Sequence, residues 1–547
     1  MSNTLRKVSQ HIRRAICCLW LCFSATTQGA PQSQLRFGVA DPYPDDPSTS
    51  IEKRLNLYAQ AGIGILRVDF GWRDIEEVEG MVHAPLRLRQ LQIAVRRGFK
   101  LMVNFGSFSG PAGWYLRQHP DAEITNQSGL KSYNMLSYWY PELHDILEKK
   151  DALVFDFLAS NGILKNVTYI VVPFGPAAEP IYPAAWTTTE PSSPMRFWFF
   201  DVNARADFPR SMRAKYATLE RANAAWGSNY SSWEAVSIPA PGTSTAGLWS
   251  DVLDWYRDSK RRFINWQVAH YGRLVARYFP HGRAPELVIA IPGNHLMPYE
   301  RAQAIAARDG DDAIKAMSDS EFLLDLAHRV GAVTQYTGIQ NMSELEYLAA
   351  YMRERHYTLR MWGENAGDAG DPQEIDEEVL LNGLYGQDYV GANLFAADHV
   401  TPTRQFFDLQ NAHRWLADVW RGRINPVSTF KNLLVRRGGC VYADVTHSIS
   451  LCLRGDANLI LQRQGKLVWA SGTSRGTADY CAESDAPEGR CIAEYQGDGN
   501  FVIYRGHEAL WSSKTDNSGV ALKLMAESPF LEIVNAGNQV VWAPVLR

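Results

Sequence analysis

Between residues 35 and 423, eight short apolar runs alternate with helix-patterned stretches, and this alternation limits the possible folds more than any other feature. Segments 35–40, 64–68, 100–105, 167–173, 286–291, 332–336, 358–362 and 389–394 read as strands. Segments 51–61, 87–97, 141–160, 248–279, 319–330, 343–355 and 372–384 read as helices, and 405–421 follows the last strand as another. Parallel strands need a long crossover between them, usually a helix, so eight such units predict a closed (β/α)8 barrel. The alternative, an open doubly wound sheet, would want a Gly-rich dinucleotide turn after the first strand, and none is there. Long segments rich in Trp, Tyr, Pro and Gly follow the third and fourth strands, at 106–140 and 175–247. Loops in these positions build the functional face of a barrel, so they are expected to wall a cleft.

Past residues 424–426 the pattern changes to short strands, turn residues and recurrent Trp. Three segments, 453–469, 495–511 and 530–542, repeat loosely, and a threefold repeat of short strands implies a small all-β prism. The expected organisation is a leader over 1–30, a barrel over 34–423, a linker over 424–432 and a prism over 433–547. Gln496, Asp498, Asn500, Val502 and Tyr504 stand at alternate positions, which on one strand would share a face. Gln, Asp and Asn offer donors and acceptors to vicinal hydroxyls, Val an apolar contact, and Tyr a closing hydroxyl. This run resembles the Q-x-D-x-N-x-V-x-Y signature of the bulb-type, mannose-binding monocot lectins. The resemblance implies a β-prism that binds mannose-containing glycans at these five residues. The equivalent run Arg454, Asp456, Asn458, Ile460, Gln462 keeps only Asp and Asn of the polar set, and the third repeat has lost it.

The N-terminus carries Arg6, Lys7, Arg13 and Arg14 before an apolar run at 15–25 that is short for a membrane span. It reads as a secretion signal, with an uncleaved anchor as the alternative. An exported chain, extracellular or periplasmic and free of the membrane after cleavage, is expected. Cys440, Cys452, Cys481 and Cys491 all fall in the last quarter, which in an exported module implies two disulfides with three possible connectivities. Short loops close most readily, favouring Cys440–Cys452 and Cys481–Cys491. The spacings lack the close Cys pairs of a zinc ribbon, and no metal or cofactor is expected. The 547 residues carry a net charge of −4 without a basic stripe, which argues against a nucleic-acid partner.

Two glutamates, Glu179 and Glu364, each follow a strand-like run and sit among Gly, Pro and Ala. Only a closed barrel would bring residues so distant in sequence to one mouth. Such a pair suits hydrolysis of a glycosidic bond, where one carboxyl protonates the leaving oxygen and the other activates water or attacks the sugar. Around them the chain resembles the β-amylase family. Residues 175–183 (GPAAEPIYP) are similar to its G-P-A-G-E-L-R-Y-P, which carries the general acid. Residues 363–366 (GENA) are similar to the segment carrying its general base. Val68, Asp69, Trp72, Ile75 and Glu76 resemble its V-D-x-W-W-G-I-I-E, and 335–340 (QYTGIQ) its N-F-T-C-L-E. The resemblance implies inverting hydrolysis of an α-1,4-glucan, with Glu179 as acid and Glu364 as base. It further implies that Thr337 assists the base, and that Asp69, Trp72, Tyr182, Gln340 and Asn365 bind substrate. Two departures bear on specificity: 105–113 lacks the Asp of the family's flap, and Gln340 replaces a Glu. Segments 76–80, 111–120 and 215–226 resemble barrel β-galactosidases, which are retaining and have Asn before the acid, where this chain has Ala178. A non-catalytic sugar-binding barrel is the reading of another class.

Overall fold

The computed structural model describes residues 36–41, 50–60, 62–106, 110–175, 178–182, 197–292, 319–339, 342–358, 360–364, 384, 387, 389–395, 427–431, 433–443, 448–476, 480–481 and 490–546. The expected leader, nearly all of the expected helix over 372–384, the helix over 405–421, Gln340 and Asn365 lie outside the described residues.

Eight parallel strands close into a barrel. In chain order they are β1 (Arg36–Ala40), β2 (Ile65–Asp69), β3 (Lys100–Asn104), β4 (Val167–Val171), β5 (Glu286–Ile291), β6 (Val333–Tyr336), β7 (Met361–Glu364) and β8 (Gly391–Phe395). Closure is made by β1 against β8, with Phe37 opposite Ala392. Strands buried on both faces need apolar side chains throughout, which is why the runs are legible without alternation. Ile65, Met102, Tyr169, Val171, Val288, Val333 and Trp362 form a cluster within the barrel. Because every strand runs the same way, all C-terminal ends open on one face.

The two long insertions carry secondary structure of their own. After β3, a hairpin pairs Glu123–Thr125 with Lys131–Leu136. After β4 come helices Val202–Tyr216 and Leu219–Trp226, then the 33-residue helix Ala246–Tyr278. Asp201 and Thr245 cap the first and last of these through their side-chain oxygens. The insertions pack on one another through a core of their own that includes Trp139, Trp198, Phe199, Trp249, Trp255 and Tyr256. Trp139 and Trp255 stack at 4.7 Å. The aromatic wealth of these loops is therefore largely spent on burial, where Trp and Tyr contribute the most area per residue.

The C-terminal region is three four-stranded antiparallel sheets. Each last strand delivers one tryptophan to a shared centre, where Trp469, Trp511 and Trp542 meet edge to face at 5.6–6.0 Å. The threefold repeat in the sequence is thus the packing of a prism around one aromatic trio. Disulfides join Cys440 to Cys452 and Cys481 to Cys491, the pairing favoured by loop length. Helix Met342–Glu354 of the barrel packs on strand Leu433–Arg436 of the prism. Beside it Gln387 accepts from Arg353 and donates to the Cys440 carbonyl at 2.8 Å. Cys440→Ser with Cys452→Ser is expected to cost the prism about 2–3 kcal/mol, read as a lower denaturant midpoint for prism tryptophan fluorescence. Among the described residues, no helix is long and apolar enough to cross a membrane.

Candidate active site

Glu364 is the last residue of β7, and Glu179 lies in the turn after β4. That turn is tight. A Cβ on Gly175 would sit 2.6 Å from the Glu179 carbonyl oxygen and 2.7 Å from that of Ile181. Ala178 is held at φ 69°, a left-handed conformation that disfavours a Cβ. The position before the acid thus suits Gly or Asn, and this chain fills it with Ala.

Glu364 is buried and densely held. Arg67 on β2 donates from Nη1 to Glu364 Oε2 at 2.5 Å, and Gln335 on β6 donates from Nε2 to the same oxygen. Arg67 is itself buried and lies 3.6 Å from Asp69. Burial works against its charge, but Glu364 and Asp69 more than restore it and hold the guanidinium firmly protonated. Glu179, partly exposed at the mouth, accepts a hydrogen bond from the Thr337 hydroxyl.

Both carboxyls are raised above the ordinary carboxylate range, but by unlike surroundings. Burial pushes Glu179 up to about 7; the Thr337 hydroxyl pulls the other way, the charge of Glu364 adds to the rise, and Arg67 opposes it. Burial also raises Glu364, but Arg67 pulls it back most strongly, and its hydrogen bonds to Arg67 and Gln335 favour the anion, while Asp69 opposes. One carboxyl has a cation and an amide donor; the other has a hydroxyl. An acid and a base are distinguished by such an asymmetry.

The other expected residues divide. Asp69 ends β2 with its side chain 28% exposed, and among the described residues its Oδ1 finds no hydrogen-bond donor. Thr337 is brought to the site, but against Glu179, whereas the resemblance expects it to serve Glu364. Trp72 is fully buried, donating Nε1 to Glu76 at 2.6 Å and packing on Tyr115. Tyr182 stacks on Tyr256 at 3.9 Å and donates its hydroxyl to the Tyr256 carbonyl, so both are occupied within the insertion core. Arg67, Gln335 and Asn393 were not among the expected site residues. Their signal is a polar side chain inside an otherwise apolar parallel strand, which burial tolerates only when it is paired.

In the prism the single-strand picture of the five-residue run needs correction. Gln496 to Asn500 form the turn before strand Phe501–Arg505, with Gly499 N donating to the Gln496 carbonyl, and only Val502 and Tyr504 lie on the strand. A turn brings the polar ends together all the same: Gln496 Nε2 meets the Tyr504 hydroxyl at 3.2 Å. Asp498 accepts from Asn500 N at 2.9 Å, while Asn500 Oδ1 accepts from Ser512, Ser513 and Thr515. In the first repeat Arg454 stands 3.7 Å from Asp456, which also takes the Ser474 hydroxyl. Its acceptors are already engaged.

No protein-family model matches the chain. A β-amylase of Niallia circulans is 23% identical over 322 residues, 54% of each chain. The chain thus spans about half the length of the curated relatives it matches. Among solved structures, the catalytic domain of the β-amylase from Paenibacillus polymyxa aligns with a TM-score of 0.57 at 17% identity, covering 70% of this chain and 98% of that one. A β-galactosidase from Marinomonas ef1 aligns at a TM-score of 0.48 and 15% identity, over 71% of this chain and 60% of that one. The barrel of this chain is similar to that of β-amylases.

Proposed function

We propose that the chain is a secreted glycoside hydrolase of β-amylase-like character, acting on a poly- or oligosaccharide with inversion. The observation that carries this reading is the unequal environment of two carboxyls at one barrel mouth. Glu179, its proton held to about pH 7, donates it to the glycosidic oxygen as the bond breaks. Glu364, paired with Arg67 and Gln335, takes a proton from the water that attacks the anomeric carbon from the opposite face. Asp69, at the end of β2 with its side chain partly exposed, is suited to a substrate hydroxyl. No step calls on a metal or cofactor. Reducing-sugar release should be measured across a glycan panel, with proton NMR of the first product formed from an α-1,4-glucan. Inverted product is expected. Retained configuration would transfer the chain to a double-displacement reading with Glu364 as nucleophile. Release from no glycan, with folded protein, would leave only a sugar-binding barrel.

The prism is assigned to mannose-containing glycans, so that the barrel works at raised local substrate concentration. The pairing of Gln496 with Tyr504, with Val502 buried, supports a single site. Tyr504→Phe and Gln496→Leu should each weaken methyl α-mannoside binding about 5–10-fold by calorimetry, the loss of one hydrogen bond. Arg454→Ala should leave it unchanged. Equal affinity in all three variants would remove the assignment.

A further inference from the structure

Beneath Glu364 an otherwise apolar barrel carries a chain of neutral polar groups with a definite direction. Asn393 on β8 is fully buried and stands opposite Glu364 on one side and Gly38 on the other. Its Nδ2 donates to Gln335 Oε1 at 2.9 Å and touches Met102 Sδ at 3.2 Å. Gln335, also fully buried, then donates Nε2 to Glu364 Oε2, the oxygen Arg67 already holds. Room for Asn393 depends on β1 having no side chain there, since a Cβ on Gly38 would lie 2.0 Å from Asn393 Oδ1.

A primary amide can present either end. Turned over, Gln335 would set its carbonyl oxygen against the carboxylate and repel it. The group at the far end of the amide adds to that preference and can lock it. We propose that Asn393 is a positioning residue: by donating to Gln335 Oε1 it obliges the Gln335 amide to offer its N–H to Glu364. Two donors then occupy Glu364 Oε2, and Oε1 is the oxygen that receives the proton from water. The inference rests on the reading of Glu364 as the base. Among the described residues, the charged groups facing Glu364 are Arg67 and Asp69 from β2 and Glu179 from the turn after β4. The relay adds an uncharged donor to these, and none of the three belongs to it.

Asn393→Asp is nearly isosteric but has no N–H to give. Its carboxylate accepts from the Gln335 amide, turns it, and points the Gln335 carbonyl at Glu364. Gly38→Ala displaces Asn393 without adding charge, so a shift seen there cannot come from a new anion. Full-length protein labelled with 13C at the glutamate carboxyls gives the Glu364 titration directly, its signal identified by its loss in Glu364→Gln. Circular dichroism checks the fold, and soluble starch serves as the activity probe. The Glu364 midpoint is expected to rise by about one pH unit or more in Asn393→Asp, and in the same direction in Gly38→Ala. The acid limb of kcat should follow with little change in KM. Unmoved Glu364 titration in either variant that folds overturns the relay, and leaves the hydrolase reading intact if starch is still cleaved. A raised midpoint in a protein that cleaves no glycan keeps the relay and removes Glu364 as the base.

Discussion

Glu364→Gln is expected to lower turnover by about 10^3–10^4-fold on every glycan the wild type cleaves, with circular dichroism unchanged. Glutamine keeps the volume and can still meet Arg67 and Gln335 through its oxygen, but it cannot accept a proton from water. Glu179→Gln should be equally damaging on natural glycans. Its penalty should shrink on glycosyl fluorides, whose leaving group needs no proton, whereas Glu364→Gln stays inactive on them. That split separates acid from base without a structure of a complex. The pH profile of the wild type carries the same assignment. Activity should fall on the alkaline side near pH 7, where Glu179 loses its proton, and on the acid side where Glu364 gains one. In Glu179→Gln the alkaline limb should vanish. An alkaline limb that survives, or full activity in either variant, would falsify the pairing.

What the sequence disclosed follows from how burial writes itself into residue type. All eight barrel strands are legible because a parallel strand covered on both faces must be apolar along its whole length, and each ends within about two residues of its expected end. Glu179 and Glu364 stand out as a pair, each just past such a run and set among Gly, Pro and Ala. Trp72 and Tyr182 misled for the same reason in reverse. Aromatics suit sugar faces and cores equally, and only packing in the folded chain decides that these rings are interior. Arg67 and Asn393 are not singled out by the sequence, and Gln335 enters only within the 335–340 segment, because each is a lone polar residue on a separate strand. Their partnership exists only once β2, β6, β7 and β8 are arranged around one axis. The turn at Gln496–Asn500 was hidden because alternation alone does not say where a strand begins.

Arg67→Met tests the asymmetry on which the hydrolytic reading turns, and its effect should appear in stability and chemistry together. Methionine fills much the same space, yet leaves Glu364 in the barrel with Gln335 alone to hold it. Breaking one side of a buried pair costs about 3–5 kcal/mol, because the remaining charge is stranded. The loss of the cation should raise the Glu364 midpoint by about 1–3 units, since an adjacent guanidinium lowers a carboxylate by that much. The sign of the pH dependence then follows. Native Glu364 would bind its proton more tightly than the unfolded chain does, so the stability deficit is smallest below the ordinary carboxylate range. It grows as pH rises from there through the elevated midpoint, and levels off above it. Activity should drop about 10^2-fold at neutral pH, with its acid limb displaced upward. The double variant Arg67→Met, Glu364→Gln has no stranded charge, and should recover most of the lost stability while remaining inactive. Denaturant melts of the three variants at pH 5 and pH 8 read this out. A deficit that is the same at both pH values would mean that Arg67 acts by packing, and that Glu364 needs no cation to stay ionised.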